Sequence, residues 1–358
     1  MAISNGMISL TLSPPLPSSN KPPPNSISTS INTIRVAFQG SPGAYSEFAA
    51  KTAIPSCTTL PCRSFSDAIS SLSLNLADHA ILPVESTMEG TALRNYDFLL
   101  RHPLFITQEI NLFVHYCLLA IPGVLPTHLK TVISHPMALA HCHRSLTRLG
   151  LNRQPVEDTA GAVEMLLDNR LLDTAAIASP RAAQLYGLNV LAHGLQDESW
   201  NVTRFLILSK HPNNNNNNNI VDPLTPAAAA AGAAAANHDE QIVIRKTSIV
   251  IAHRGGCMLV ILKVLKAFSS RNLNMTKLEV INHDEEEEGK SPVMILDVRL
   301  DGKKGSLRAF PHVLYVDFEG SMEDFRVREA IDEISKFSVF VRILGTYSAD
   351  PNVYDLHY

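Results

Sequence analysis

Apolar positions along the 358-residue chain form short runs that alternate with helical spacings as far as Ser209, and a second alternating series begins after residue 244. Ile34–Phe38 reads as a buried strand, followed by the turn Gln39-Gly40-Ser41-Pro42-Gly43 and a helix from near Ala44. Ala80–Pro83 and Thr174–Ala178 read as further buried strands. After the second of these, Ser179 is an N-cap with Pro180 at the first helical position, and Gly187 closes the helix. Strands that alternate with helices predict an α/β layer structure whose ligands sit at the loops after the strands. The second series reads β-α-β-β-α-β, the order of a ferredoxin-like domain, with strands at Thr247–Ala252, Met275–Ile281, Leu314–Phe318 and Val339–Leu344. Its first helix carries Met258, Ile261, Leu262, Leu265 and Phe268 at helical spacing. Its second carries Val327, Ala330, Ile331, Ile334 and Phe337 and opens with an approximate capping box of Ser321 and Asp324. Both stripes read as core.

Between the two series, His211 to about Glu240 holds seven consecutive asparagines, Pro223, Pro226 and an alanine tract broken by Gly232. Polar repeats bury no apolar area, and alanine gives a helix little to pack with, so this stretch reads as a linker. Residues 1–33 are rich in Ser and Pro, have no acidic side chain and carry only Lys21 as a base, so they do not fold by themselves. The run Asp284 to Glu288 reads as a solvated acidic loop.

With 45 % apolar and 18 % charged residues, the rest of the chain has the make-up of ordinary globular cores. A net charge of −4 supplies no basic field for a phosphate backbone, so no nucleic-acid partner is expected. No apolar stretch reaches the roughly 18 residues that a bilayer requires. The best run, Cys117 to Leu125, is broken by Pro122 and Gly123, and no membrane partner is expected. The five cysteines are scattered and include no C-x-x-C pair, which points to a reducing compartment. His135, His141, Cys142 and His143 group like metal ligands, yet on a helix His141 and His143 lie about 200° apart. No metal is expected.

Five clusters near predicted strand ends could carry chemistry. They are Phe38 to Glu47, Pro83 to Thr91, Ser134 to Leu139, Asp158 to Ala162 and Asn201 to Phe205. A glycine-rich turn that opens a helix offers backbone N–H groups to an anion, although most such turns are only turns. Thr203 beside Arg204 pairs a hydroxyl donor with a carboxylate clamp, and the same pair in a strand is often structural.

In this order, and followed by a ferredoxin-like domain, these clusters resemble the prephenate dehydratase family, most closely its plant arogenate dehydratase branch. Arg94-Asn95-Tyr96-Asp97, Ala176-Ile177-Ala178-Ser179, Leu185-Tyr186-Gly187-Leu188, Phe318-Glu319-Gly320-Ser321-Met322 and Leu344-Gly345-Thr346-Tyr347 match as well. The resemblance implies a two-lobed, periplasmic-binding-protein-like α/β catalytic domain at 34–210 and an ACT regulatory domain at 245–348. A leader at 1–33, a linker at 211–244 and a tail at 349–358 complete the chain. It implies decarboxylating dehydration of arogenate to phenylalanine, or of prephenate to phenylpyruvate. Aromatisation drives that reaction, so no cofactor is called for.

Carried over by motif, Thr203, Arg204 and Glu85 are the catalytic candidates, with Thr203 assisting departure of the ring hydroxyl as a positioned donor. Ser41, Tyr45, Ser86, Thr87, Met137 and Thr159 are the substrate-binding candidates. Gly256, Cys257, Met258, Leu259 and Glu279 would form the phenylalanine effector site. The resemblance also implies a homodimer or tetramer through the ACT domains. The leader resembles a plastid transit peptide, which places the protein in the chloroplast stroma, with the cytoplasm as the alternative.

The chain departs from the family pattern at several positions. Ser86 stands in place of asparagine, Met137 and His141 in place of glutamines, Glu89 in place of glycine, and Leu93 in place of histidine. Glu279-Val280-Ile281-Asn282 stands in place of Glu-Ser-Arg-Pro. Two readings follow. The chain is a dehydratase with altered rate or feedback, or it is a catalytically weak relative that binds aromatic metabolites or regulates active subunits. The first predicts that Thr203, Glu85 and Ser86 converge on one cleft with Met137 at its wall.

Overall fold

A computed structural model describes residues 33–212, 244–253, 257–282, 293–297 and 305–350. The asparagine and alanine tracts, Gly256 and the Asp284–Glu288 run lie outside them. The first lobe runs through β1 (Arg35–Gln39), α1 (Tyr45–Ala53), β2 (Thr58–Cys62), α2 (Phe65–Ser73), β3 (His79–Ser86), β4 (Gly90–Thr91), α3 (Leu93–Arg101) and β5 (Phe105–Phe113). The second runs through β6 (Cys117–Ala120), β7 (Thr131–Ser134), α4 (Pro136–His141), α5 (His143–Leu149), β8 (Asn152–Pro155), α6 (Thr159–Asp168), β9 (Thr174–Ala178), α7 (Pro180–Tyr186) and β10 (Asn189–Ala192). The chain then returns to the first lobe as β11 (Val202–Ser209).

The first sheet has the order β2-β1-β3-β11-β5, with β4 paired to β3, and the second the order β10-β6-β9-β7-β8. Alternate residues of β1 face opposite ways, Val36 and Phe38 onto α1 and Ala37 onto α2. A strand covered on both faces needs apolar side chains on both, which is why this segment reads as one continuous apolar run. Ser179 caps α7 by accepting from the Ala182 N–H at 3.0 Å, and Gly187 ends it in the left-handed region at φ 66°.

The C-terminal unit contains β12 (Arg245–Ala252), α8 (Cys257–Ser269), β13 (Met275–Asn282), β14 (Val293–Asp297), β15 (Ser306–Phe310), β16 (His312–Glu319), α9 (Phe325–Phe337) and β17 (Phe340–Ser348). Its antiparallel sheet has the order β13-β16-β12-β17, as the βαββαβ pattern requires, and β14 and β15 add a separate ribbon. Two expectations are corrected. Asp324 is itself the N-cap of α9, accepting from the Arg326 N–H at 2.9 Å, while Ser321 accepts from Glu323 in the preceding turn. The buried face of α8 is Val260, Val264, Ala267 and Phe268, whereas Met258, Leu262 and Leu265 are exposed. Apart from Lys263 and Lys266 most of this helix is apolar, on its outer face as well as its inner one, so spacing alone does not choose the inner face.

One face of the C-terminal sheet is covered by α8 and α9. Its other face packs on the first lobe, where Val250, Tyr315 and Leu344 join Leu82, Tyr96 and Leu206 in one core cluster. The rings of Tyr96 and Tyr315 meet edge to face at 4.5 Å. Arg342 of β17 donates to the carbonyls of Leu100, His102 and Leu104 at 3.3, 2.7 and 3.1 Å, at the C-terminal end of α3. Burial lowers its pKa to about 10, and the negative end of the helix dipole favours the cation that burial opposes.

At Gly345 of β17, a Cβ would lie 2.1 Å from the backbone oxygen of Ile106. The close approach of the two domains therefore needs glycine there. Gly345→Ala is predicted to cost about 1–3 kcal/mol through overpacking, read as a lower urea midpoint. An unchanged midpoint would contradict the close approach.

Candidate active site

A cavity of about 190 Å³ lies between the lobes, lined by Gln39, Gly40, Ala44, Tyr45, Ser46, Tyr116, His135, Met137, Ala138, Asp158 and Thr159. Three helices begin on it. Ala44 precedes α1, His135 precedes α4 and Asp158 precedes α6. Two of these amino ends are closed by their own N-caps. His135 Nδ1 accepts from the Met137 N–H at 3.2 Å, and Asp158 accepts from the Ala160 and Gly161 N–H groups at 2.7 Å each. The amino end of α1 has alanine at its cap and no side-chain cap. Its N–H groups and positive dipole end therefore face a cavity whose lining, among the described residues, holds no lysine or arginine. An anion in this cavity is met by backbone dipoles.

The loop before α1 is held from both lobes. Glu47 accepts from the Gly43 N–H at 2.7 Å, from Thr59 at 3.0 Å and from Arg181 of the other lobe at 3.3 Å. Burial pushes the Glu47 pKa up, but these hydrogen bonds outweigh it and leave the carboxyl below its ordinary range. Ser179 donates to the Gly43 carbonyl at 2.7 Å, and a Cβ on Gly43 (φ 92°) would press on Ala182 at 3.0 Å. On the lobe edge that carries β4, His141 Nε2 meets Glu89 Oε1 at 2.7 Å, so two of the divergent positions pair with each other between the lobes.

The candidates divide. Tyr45, Met137 and Thr159 line the cavity. Burial holds the Tyr45 hydroxyl far above its ordinary range, and it donates to the His115 carbonyl at 2.7 Å. Ser41 lies outside the lining, its hydroxyl donated to Glu164 at 3.0 Å. Thr87 stitches the loop before β11, donating to the Trp200 carbonyl at 2.8 Å and accepting from the Val202 N–H at 2.9 Å. Thr203 lies opposite Ser86 in the β11–β3 ladder and opposite Leu112 in the β11–β5 ladder. Leu112 and Phe205 share its face and pack with α1 and with Ala160 of α6, so Thr203 and Ser86 lie on the α1 side of the sheet, outside the cavity lining.

Glu85 and Arg204 face the other way. The β3–β11 register steps from Glu85↔Arg204 to Pro83↔Phe205, which leaves Val84 as a bulged extra residue. That bulge re-aims the end of β3. Instead of continuing the α1-side series of Ile81 and Pro83, Glu85 points to the C-terminal unit. Its carboxylate meets Lys277 at 2.8 Å and Arg204 at 3.4 Å. Thr203 and Ser86 share one face of the sheet and Glu85 lies on the other, and none of the three is among the residues lining the cavity that Met137 walls, so the expected convergence on it is not observed.

Glu279 also lies in this seam, accepting from Thr91 at 2.9 Å. Met258 and Leu259 are exposed on α8. Gln39, Ser46, His135 and Asp158, which lie in the quoted clusters, and Tyr116, which does not, are lining residues beyond the candidates. The signal for His135 and Asp158 is their position one residue before a helix.

Two α/β lobes around a cleft define a small-molecule-binding protein of the periplasmic-binding-protein shape. The family model for prephenate dehydratase matches residues 36–213. The chain is 46 % identical to arogenate dehydratase 1 of Petunia hybrida, over 89 % of this chain and 68 % of that protein. It is 44 % identical to arogenate dehydratase/prephenate dehydratase 6, chloroplastic, of Arabidopsis thaliana, over 89 % of this chain and 70 % of that one. Among solved structures it is similar to GqqA, described as a quorum quenching acylase, with 29 % identity, TM-score 0.68 and coverage of 89 % and 99 % of the two chains. Prephenate dehydratase from Arthrobacter aurescens in complex with L-Phe shares the fold, with 23 % identity, TM-score 0.67 and coverage of 89 % and 91 %. The chain belongs to the prephenate dehydratase family. It is a dehydratase, a carbon–oxygen lyase of phenylalanine biosynthesis.

Because the folded-state pKa of Glu47 lies below its unfolded value, its contribution to stability is complete above the unfolded pKa and is lost as pH falls through the folded one. Glu47→Gln is predicted to be less stable at neutral pH and to lose less on acidification, measured by urea midpoints against pH. An equal acid loss in both proteins would contradict this.

Proposed function

We propose that the cleft converts arogenate to phenylalanine, with prephenate as the alternative acid. The observation that carries this reading is the uncapped amino end of α1 on a cavity between the lobes, which suits a small carboxylic acid. The electron pair of the carbon–carboxylate bond enters the ring, carbon dioxide departs, and the carbon–oxygen pair leaves with the ring hydroxyl. Thr203 supplies the hydrogen bond and proton relay to that hydroxyl, with Ser86 beside it. A hydroxyl is a weak acid, so its value lies in position. A catalytically weak relative is the second reading, favoured by the apolar thioether of Met137 on the cavity wall.

The C-terminal unit acts in this reading as an ACT domain that takes phenylalanine as effector and pairs with a second copy. The exposed Met258, Leu259, Leu262 and Leu265 of α8, together with β13 at the end of its sheet, support the pairing. Relatives named chloroplastic and the acid-poor, Ser-rich leader support a plastid location.

Turnover of the purified chain with each acid tests the proposal, and the ratio of kcat/KM values identifies the preferred one. Thr203→Ala is predicted to lower kcat by roughly 10²–10³-fold, as the loss of one positioned donor does. No product from either acid, with folded protein that still binds one of them, would favour the second reading.

A further inference from the structure

The two neighbours Thr203 and Arg204 face opposite sides of β11, the first onto the α1 side of the sheet and the second into the seam with the C-terminal unit. In that seam the Arg204 guanidinium meets Asp317 of β16 at 2.8 Å, Glu109 of β5 at 2.8 Å and Glu85 at 3.4 Å, and donates to the Tyr347 hydroxyl at 3.2 Å. The side chains of Asp317 and Glu109 have no solvent exposure. Ser248 donates to Asp317 at 2.5 Å and shares a 2.7 Å hydrogen bond with Tyr347, and Lys246 holds the other oxygen of Glu109 at 2.8 Å. The guanidinium hydrogen-bonds Glu109, Glu85 and Tyr347, and it meets Asp317 Oδ2, which has no hydrogen-bond partner, as an ion pair. The β11 backbone is held by its ladders with β3 and β5, and Asp317 adds an anchor on the Arg204 side chain from the neighbouring domain.

We propose that Asp317, a residue of the regulatory unit, is a positioning residue for the dehydratase reaction, which it serves by fixing Arg204 and through it the end of β11 that carries Thr203. The inference rests on the reading of Thr203 as the donor to the departing hydroxyl. It makes the completeness of the active site depend on how the C-terminal sheet is seated. A shift of about 1 Å in a reacting group costs on the order of 10²-fold in rate, so small movements of that sheet are enough to set activity.

The test is Asp317→Asn in the full chain, with Ser248→Ala as a milder variant should the first fail to fold. Both are expected to lower kcat, Asp317→Asn by roughly 10–100-fold, with KM within about threefold. The loss should largely disappear when Asp317→Asn is placed in a Thr203→Ala background, because the two changes remove the same donor. Hydrogen exchange of the 202–205 amides should speed up in both variants while α6 keeps its protection. Unchanged kcat in a folded variant, or an equal loss in the Thr203→Ala background, would overturn the proposal. An unmodified chain that turns over neither acid would instead count against the functional reading, and amide exchange would still report whether the seam holds β11.

Discussion

The structure depends on one buried guanidinium. Arg204 joins carboxylates from three strands of two domains, and two of those carboxylates have no access to water. Burial works against its charge, yet Asp317 and Glu109 outweigh that and hold its pKa well above the ordinary value. Removing one partner of such a set leaves an uncompensated buried charge, at about 3–5 kcal/mol. A whole domain is stable by only about 5–15 kcal/mol. The seam is thus a condition of the fold, and neither domain presents its inner sheet face to solvent without abandoning charged groups. The same constraint explains why β12 and β16 read as strands buried on both faces, one for α8 and α9 and one for the first lobe.

Much of this was legible in the sequence. The β1 run, the Ser179-Pro180 start and Gly187 end of α7, and the βαββαβ order all follow from local rules of period and capping, and the strands differ from expectation mainly in being longer. What was not legible depends on partners remote in the chain. The bulge at Val84 turns Glu85 from the α1 side of the sheet to the seam, and no local signal in Pro83-Val84-Glu85-Ser86 announces it. Ser41 reads as a pocket hydroxyl until Glu164 is found waiting across the lobes. The outer stripe of α8 reads as core because its apolar side chains resemble those of the inner one.

Among the described residues, the lining of the cleft holds no lysine or arginine to meet an acid. Several hydroxyls that a motif would assign to substrate are occupied elsewhere, Tyr45 on His115, Thr87 on the loop before β11 and Ser41 on Glu164. They hold the two lobes and the α1 loop in place, while the amino end of α1 and Thr159 remain on the cavity. The divergent positions fit this division. Glu89 and His141 tie one lobe to the other, and Met137 adds an apolar wall beside the α1 amino end.

The central claim is a separation of roles, in which the open amino end of α1 binds the acid and Thr203 assists its breakdown. Calorimetric binding of arogenate and of prephenate to the Thr203→Ala chain tests it most directly. The account predicts saturable binding of the preferred acid with a Kd within about threefold of the KM of the unmodified chain, which holds when chemistry is slow relative to dissociation. Loss of binding together with loss of turnover would show that Thr203 holds the ground state, and would contradict the account.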